Sequence, residues 1–164
     1  MVIQEDEKLI DTIRKFHYLR GVWHEGENLT GVDLEGVNFE GAHLRGVNFK
    51  NANLESVIFT GTDLKNVNFE NARLIGANLE GANLRGAYLK NTYLKNANLE
   101  GANLNNAYLK GANLEGANLE DIFFKNICYD IHTKFDEGSS LDLYIKDKED
   151  NSGPISCPIP YNSK

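Results

Sequence analysis

From Leu29 to Phe124 every fifth residue is Leu or Phe, twenty times without an exception. A period that short and that strict dominates what the chain can fold into. Take each Leu or Phe as the centre of a five-residue unit. Two places before it stand small or β-branched residues, such as Val32, Val37, Ala42, Ala117 and Ile122; the departures are Glu27, Thr62 and Thr92. Two places after it stands Gly or Asn in eighteen of the twenty units, with Ser56 and Asp121 in the others. The slots directly beside the centre are mostly Asn, Glu, Lys or Arg.

This pattern excludes the ordinary elements. A helix needs apolar residues near a 3.6 spacing, and a Gly or Asn in every unit would cost it up to ~1 kcal/mol each time. A long strand needs strict alternation, which breaks at each unit junction. The remaining solution is a very short extended segment with two inward side chains, followed by a tight turn. In a type II turn the second middle residue has a positive φ, which Gly and Asn tolerate. A turn that begins at the Leu puts the Gly/Asn slot at that residue. Short edges joined by turns wind into a coil whose successive turns pair ~4.8 Å apart.

The repeat, written as Ala77-Asn78-Leu79-Glu80-Gly81, Ala82-Asn83-Leu84-Arg85-Gly86 and Ala112-Asn113-Leu114-Glu115-Gly116, resembles that of the pentapeptide-repeat proteins, including cyanobacterial ones. The resemblance covers residues 27 to 126. It implies an all-β solenoid, a right-handed quadrilateral β-helix with four units per coil and so about five coils. The sequence supports four units only in part. Tyr88 and Tyr108 share a face at a spacing of twenty, as do Phe39 with Phe59 and Phe49 with Phe69, yet those four Phe also recur every ten residues. With four units per coil, Phe39 and Phe59 face Phe49 and Phe69 across the interior.

The ends are expected to differ from the rod. Residues 1–21 read as an N-terminal helical cap: Leu9, Ile10, Ile13 and Phe16 form one face, acidic residues open it and Gly21 stops it. The β-helix is expected over 22–129, with Trp23 at the junction. Residues 130–138 read as a short C-terminal lid, in which Tyr129–Gly138 resembles the closing segment of many cyanobacterial family members. Residues 139–164, rich in Ser, Asp and Lys, are expected to be a disordered tail, apart from Leu141–Ile145, which suits one strand. Cys128 and Cys157 have no metal-ligand spacing and are expected to be reduced thiols. The N-terminus has neither the basic start nor the apolar core of a signal peptide, so the expected compartment is the cytoplasm.

Chemistry is hard to find. His17, His24, His43 and His132 are scattered, and the glycines recur because turns need them. No nucleophile, phosphate-loop or metal motif stands out, so neither enzyme activity nor a cofactor is expected. Folding the residue after each centre at a spacing of twenty gives two ladders. One edge reads Glu40, Thr60, Glu80, Glu100, Glu120; the next reads Arg45, Lys65, Arg85, Asn105, Lys125. Either these edges neutralise each other in exposed ion pairs or they form a dipolar face that orients a partner. The aromatic row Tyr88, Tyr93 and Tyr108, in outward slots, is the other contact candidate. The expected function is a non-catalytic scaffold or protein-interaction module with an unknown protein partner, acting as a monomer or weak dimer, with no direct nucleic-acid binding and no membrane. The resemblance implies an alternative, a DNA mimic that binds or protects DNA gyrase. Against it, the repeats carry 12 acidic and 9 basic residues, and the rod is only ~24 Å long at the strand spacing.

Overall fold

Each five-residue unit contributes one β-bridge, and the bridges are what make the repeat a solenoid. The computed structural model describes residue 21, residues 25–152 and residue 157. Within them the residue before each centre pairs in parallel with the residue twenty positions later: Asn28 with Asn48, Asp33 with Asn53, Asn38 with Ile58, His43 with Asp63, and so on to Tyr108 with Cys128. Twenty residues are four units, so one turn of backbone uses four units and has four faces. The ten-residue alternative suggested by the Phe spacing is thereby excluded.

The turn slot behaves as its residue types require. All twenty positions two after a centre have positive φ, from 52° at Asp121 to 70° at Gly31 and Gly116, and the residues before them do not. The turn closes with a hydrogen bond from the next unit back to the centre, as in Ala42 N–H to the Phe39 carbonyl at 2.9 Å. That combination is the type II turn.

The other backbone N–H groups point along the rod. Phe59 N–H donates to the Asn78 carbonyl at 2.7 Å, Gly61 N–H to Glu80 at 2.8 Å, and Asn78 N–H to Val57 at 2.9 Å. One N–H per unit, that of the residue after the centre, has no partner in this ladder. In many units the Asn or Asp before the centre accepts it through its side chain, as Asn38 Oδ1 does from Glu40 N–H at 2.8 Å and Asn118 Oδ1 from Glu120 N–H at 3.0 Å. The same Asn side chains bond from turn to turn, for example Asn118 Nδ2 to Asn98 Oδ1 at 3.2 Å. The frequency of Asn before the centre is therefore a backbone requirement as well as a surface preference.

The interior is filled by the centres and the small residues before them, and nearly all are fully buried. Phe39 stacks on Phe59 at 5.4 Å and Phe49 on Phe69 at 5.5 Å, in two columns that meet across the core at 5.9 to 6.4 Å. Thr62 and Thr92, the two hydroxyls in the small slot, are buried and donate to the Phe39 and Phe69 carbonyls at 2.8 Å each.

The twenty-residue register slips by one at the C-terminal end, where Asn113 pairs with Lys134. There two carboxylates replace backbone acceptors: Gly111 N–H donates to Asp130 Oδ1 at 3.0 Å and Gly116 N–H to Asp136 Oδ2 at 2.9 Å. Thr133 donates to the Leu109 carbonyl at 2.9 Å and accepts from Asp130 N–H at 3.1 Å. Residues 130–138 thus close one side of the last turn.

Two expectations about the tail are corrected. Residues read as disordered, with one possible strand, contain helix α1, Ser140–Ser152. Ser139 Oγ accepts from Asp142 N–H, and Asp142 reaches back to Gly138 N–H at 2.8 Å, which caps the helix start. Leu141 and Ile145 are buried against the core, and the Tyr144 ring meets Phe124 edge-on at 4.8 Å. Tertiary burial on the end of the rod supplies what the polar composition of the segment lacks. Second, Cys128 and Cys157 are joined in a disulfide rather than free, which removes the cysteine argument for the cytoplasm. Among the described residues no helix is long and apolar enough to cross a membrane. The expected cap over 1–21, apart from Gly21, and Trp23 lie outside the described residues. Gly21 itself has φ 70° and donates to the Glu40 carbonyl at 3.1 Å, as a turn residue of the solenoid does.

Candidate partner face

Backbone pairing sorts the outward side chains into columns. Residues directly before the centres sit mid-face; those after them sit at the corners. The third corner carries Glu40, Thr60, Glu80, Glu100 and Glu120, and the fourth carries Arg45, Lys65, Arg85, Asn105 and Lys125. Their register is fixed by rung bonds: Gly81 N–H to the Glu100 carbonyl at 2.8 Å, Gly101 to Glu120 at 2.9 Å, Asn66 to Arg85 at 3.0 Å and Asn106 to Lys125 at 2.8 Å. Like charges therefore do stack one turn apart.

The ion pairs run elsewhere. Arg45 Nε bonds Asp63 Oδ2 at 2.5 Å, diagonally onto the fourth face, and this bond holds the guanidinium pKa further above its ordinary value. On the first corner, Lys50 bonds Glu70 at 2.8 Å and Lys90 approaches it at 3.7 Å. The Lys50 hydrogen bond, outweighing burial, holds the Glu70 carboxyl below its ordinary range. Arg73 pairs with Glu55 across the second face. Among the described residues, no ion pair involves Glu80, Glu100, Glu120, Lys65, Arg85 or Lys125. Neutralisation between the two corners is thus absent where both carry charge in the C-terminal half. Between them lies the fourth face, with Asn83, Asn103 and Phe123; Phe123 is 61% exposed.

The tyrosines do not form a single row. Tyr88 and Tyr108 stack on the first face with centroids 5.1 Å apart and planes 5° apart. Burial, with Tyr108 adding to it, pushes the Tyr88 hydroxyl pKa up. Tyr93 lies on the second face between Arg73 and Asn113 on the ladder, and is 48% exposed. The spacing of twenty finds the stacked pair; Tyr93, five residues on from Tyr88, is one face away. No set of three or more His, Cys, Asp and Glu among the described residues is arranged to hold a metal.

Comparison with known proteins bears on this rod. A family profile described as a pentapeptide repeat region matches residues 27–99, and one described as eight copies of the pentapeptide repeat matches residues 87–126. No curated protein matches the chain. Among solved structures, the pentapeptide repeat protein Rfr23 of the cyanobacterium Cyanothece 51142 is 31% identical; the match covers 79% of this chain and 99% of that one, with a TM-score of 0.48. A pentapeptide repeat protein of the Arabidopsis thaliana thylakoid lumen is 26% identical, with 84% and 82% covered and a TM-score of 0.42. QnrB1, a plasmid-mediated fluoroquinolone resistance protein, is 17% identical, with 67% and 71% covered and a TM-score of 0.37.

Proposed function

The chain belongs to the pentapeptide-repeat family, and from that premise we propose that it is a non-catalytic scaffold that presents a dipolar face to a protein partner. We read the rod as right-handed, square in section and about five coils long; the twenty-residue pairing period supports the four-sided section, and family membership supports the hand. The observation that carries the function is that, beyond the first turn, the charges on these two corners have no ion pair among the described residues. Glu80, Glu100 and Glu120 stand on one side of the fourth face at one-rung intervals, and Lys65, Arg85 and Lys125 on the other, with Asn105 between the last two. Charges held in rows of opposite sign orient a partner of complementary pattern and speed its encounter more than they add affinity. Phe123, exposed on the same face, supplies an apolar contact of the kind that anchors interfaces. The alternation of acidic and basic corners disfavours the DNA-mimic alternative, which calls for a continuous anionic surface.

The test is quantitative capture from cells of the native host. The bait is the full-length protein, compared with the triple variant Glu80→Lys, Glu100→Lys, Glu120→Lys and with a control reversed at Glu35 and Glu115 on the second corner. Partners recovered by the wild type and by the control are expected to fall about tenfold or more with the triple variant. Equal recovery by all three baits would reject this face.

A further inference from the structure

We propose that the Cys128–Cys157 disulfide is a redox latch on the C-terminal cap: when it is intact, α1 is pinned over the end of the solenoid, and when it is reduced, the cap opens. Cys128 belongs to the rod. It is 2% exposed, its carbonyl accepts from Leu109 N–H at 2.6 Å, and its N–H donates to the Ala107 carbonyl at 2.9 Å. Cys157 lies beyond α1, 29 residues later. Everything that closes the end lies between the two: Thr133 with its bond to Leu109, Lys134 bonded to Ala112 and Leu114, and α1 with Leu141 and Ile145 against the core. The helix is therefore held at its start by this lid and beyond its end by the disulfide. Cutting the second tether lengthens the closed loop to a free tail, and the entropy of that tail then favours opening.

What lies beneath makes opening consequential. Leu119, Ile122 and Phe124 form the apolar end of the last turn. The N–H groups of Leu119 and Phe124, which in earlier turns donate to the next rung, have no acceptor among the described residues. An opened cap bares apolar surface beside an open backbone edge.

The chemistry is two-electron thiol–disulfide exchange with a dithiol reductant. Cys157 is the more exposed residue of the pair, so a thiolate of the reductant attacks Cys157 Sγ, the Sγ–Sγ bond breaks, and Cys128 leaves as a thiolate that takes up a proton. The second thiol of the reductant then displaces Cys157, which is protonated in turn, and the reductant ends as a disulfide.

Hydrogen exchange followed by mass spectrometry on the full-length protein tests this, with thiols titrated in parallel. Dithiothreitol is the probe, and Cys157→Ser without reductant is the second arm. Reduction is expected to speed exchange over 130–152 about tenfold or more while the rungs from 29 to 109 keep their protection, and Cys157→Ser is expected to reproduce this. The latch is overturned by unchanged exchange in the cap after two thiols have appeared, by loss of protection along the whole rod, or by finding both thiols free before any reductant is added.

Discussion

Phe59 is the position where packing makes its most specific demand. It is fully buried, stacks on Phe39 at 5.4 Å and touches Phe49 at 6.1 Å and Phe69 at 5.9 Å. Phe69 has two ring neighbours, Phe49 and Phe59. Leu is the centre in the turns above, so the backbone of either slot accepts Leu; the buried volume lost is the same at both slots, so the difference between them reports ring contacts. At about 0.5–1.5 kcal/mol per aromatic pair, Phe59→Leu loses three pairs, or about 1.5–4.5 kcal/mol, and Phe69→Leu two, or about 1–3 kcal/mol. The difference, one ring pair, is the quantity to measure. Guanidinium unfolding followed by far-ultraviolet dichroism gives it, provided the slope is unchanged between variants, since solenoids can unfold in stages. The ring-pair argument fails if Phe69→Leu is as costly as Phe59→Leu. It also fails if the double variant is additive, because the two rings touch and share one of the lost pairs.

Two further outcomes follow from the backbone and the lid. Gly111 has φ 68°, and a Cβ built there comes closest to the amide end of the Asn91 side chain, which can turn aside for either substitution, so the two variants differ in backbone conformation. Gly111→Ala is expected to cost about 1–2 kcal/mol for the left-handed conformation, whereas Gly111→Asn should cost little, because Asn51, Asn71 and Asn91 hold that conformation in the same column; equal losses in chemical denaturation would contradict this. Burial pushes the Asp130 carboxyl up, but hydrogen bonds from Gly111 N–H, His132 N–H and Thr133 outweigh it and leave the pKa below its ordinary value. A depressed folded pKa contributes stability that is fully present above the unfolded value of about 4 and is lost as pH falls through the lower folded value. Asp130→Asn should therefore be less stable than wild type at pH 7 and show a flatter loss on acidification below about pH 4; parallel acid profiles in urea titrations would refute it.

The turn chemistry and the inward slots were legible because each residue type has one physical reason to recur. Gly and Asn at every second place after Leu could serve only a positive φ, and Val or Ala two before it could serve only a narrow interior. The number of units per turn was not legible, since a period of five is the same whether two or four units close a coil; backbone pairing at twenty decides it. The role of Asn before the centre escaped for a related reason. An N–H without a ladder partner becomes visible only once the ladder is known, and Asn38 or Asn118 then has an obvious task. In the tail, Leu141, Leu143 and Ile145 alternate like a strand, but Leu143 is exposed while Tyr144 packs on Phe124, so the helical spacing of Leu141, Tyr144 and Ile145 prevails. The cysteines carried no pairing signal because only the fold returns the chain to Cys128. Of the candidate surface, sequence arithmetic located both charged corners and the stacked tyrosines. It did not reveal that Glu80, Glu100 and Glu120 stand without ion pairs among the described residues, which depends on where the neighbouring basic side chains turn.

A rod that closes every four units counts in fours. Deleting a single unit early in the array would rotate all that follows by a quarter revolution, moving Glu100 and Glu120 to the azimuth now occupied by Lys95 and Glu115. Deleting twenty residues would remove one storey and return every later side chain to its own side of the building. Length and surface pattern are thus separately adjustable in this architecture, and only changes in multiples of a full circuit keep a partner's footprint intact.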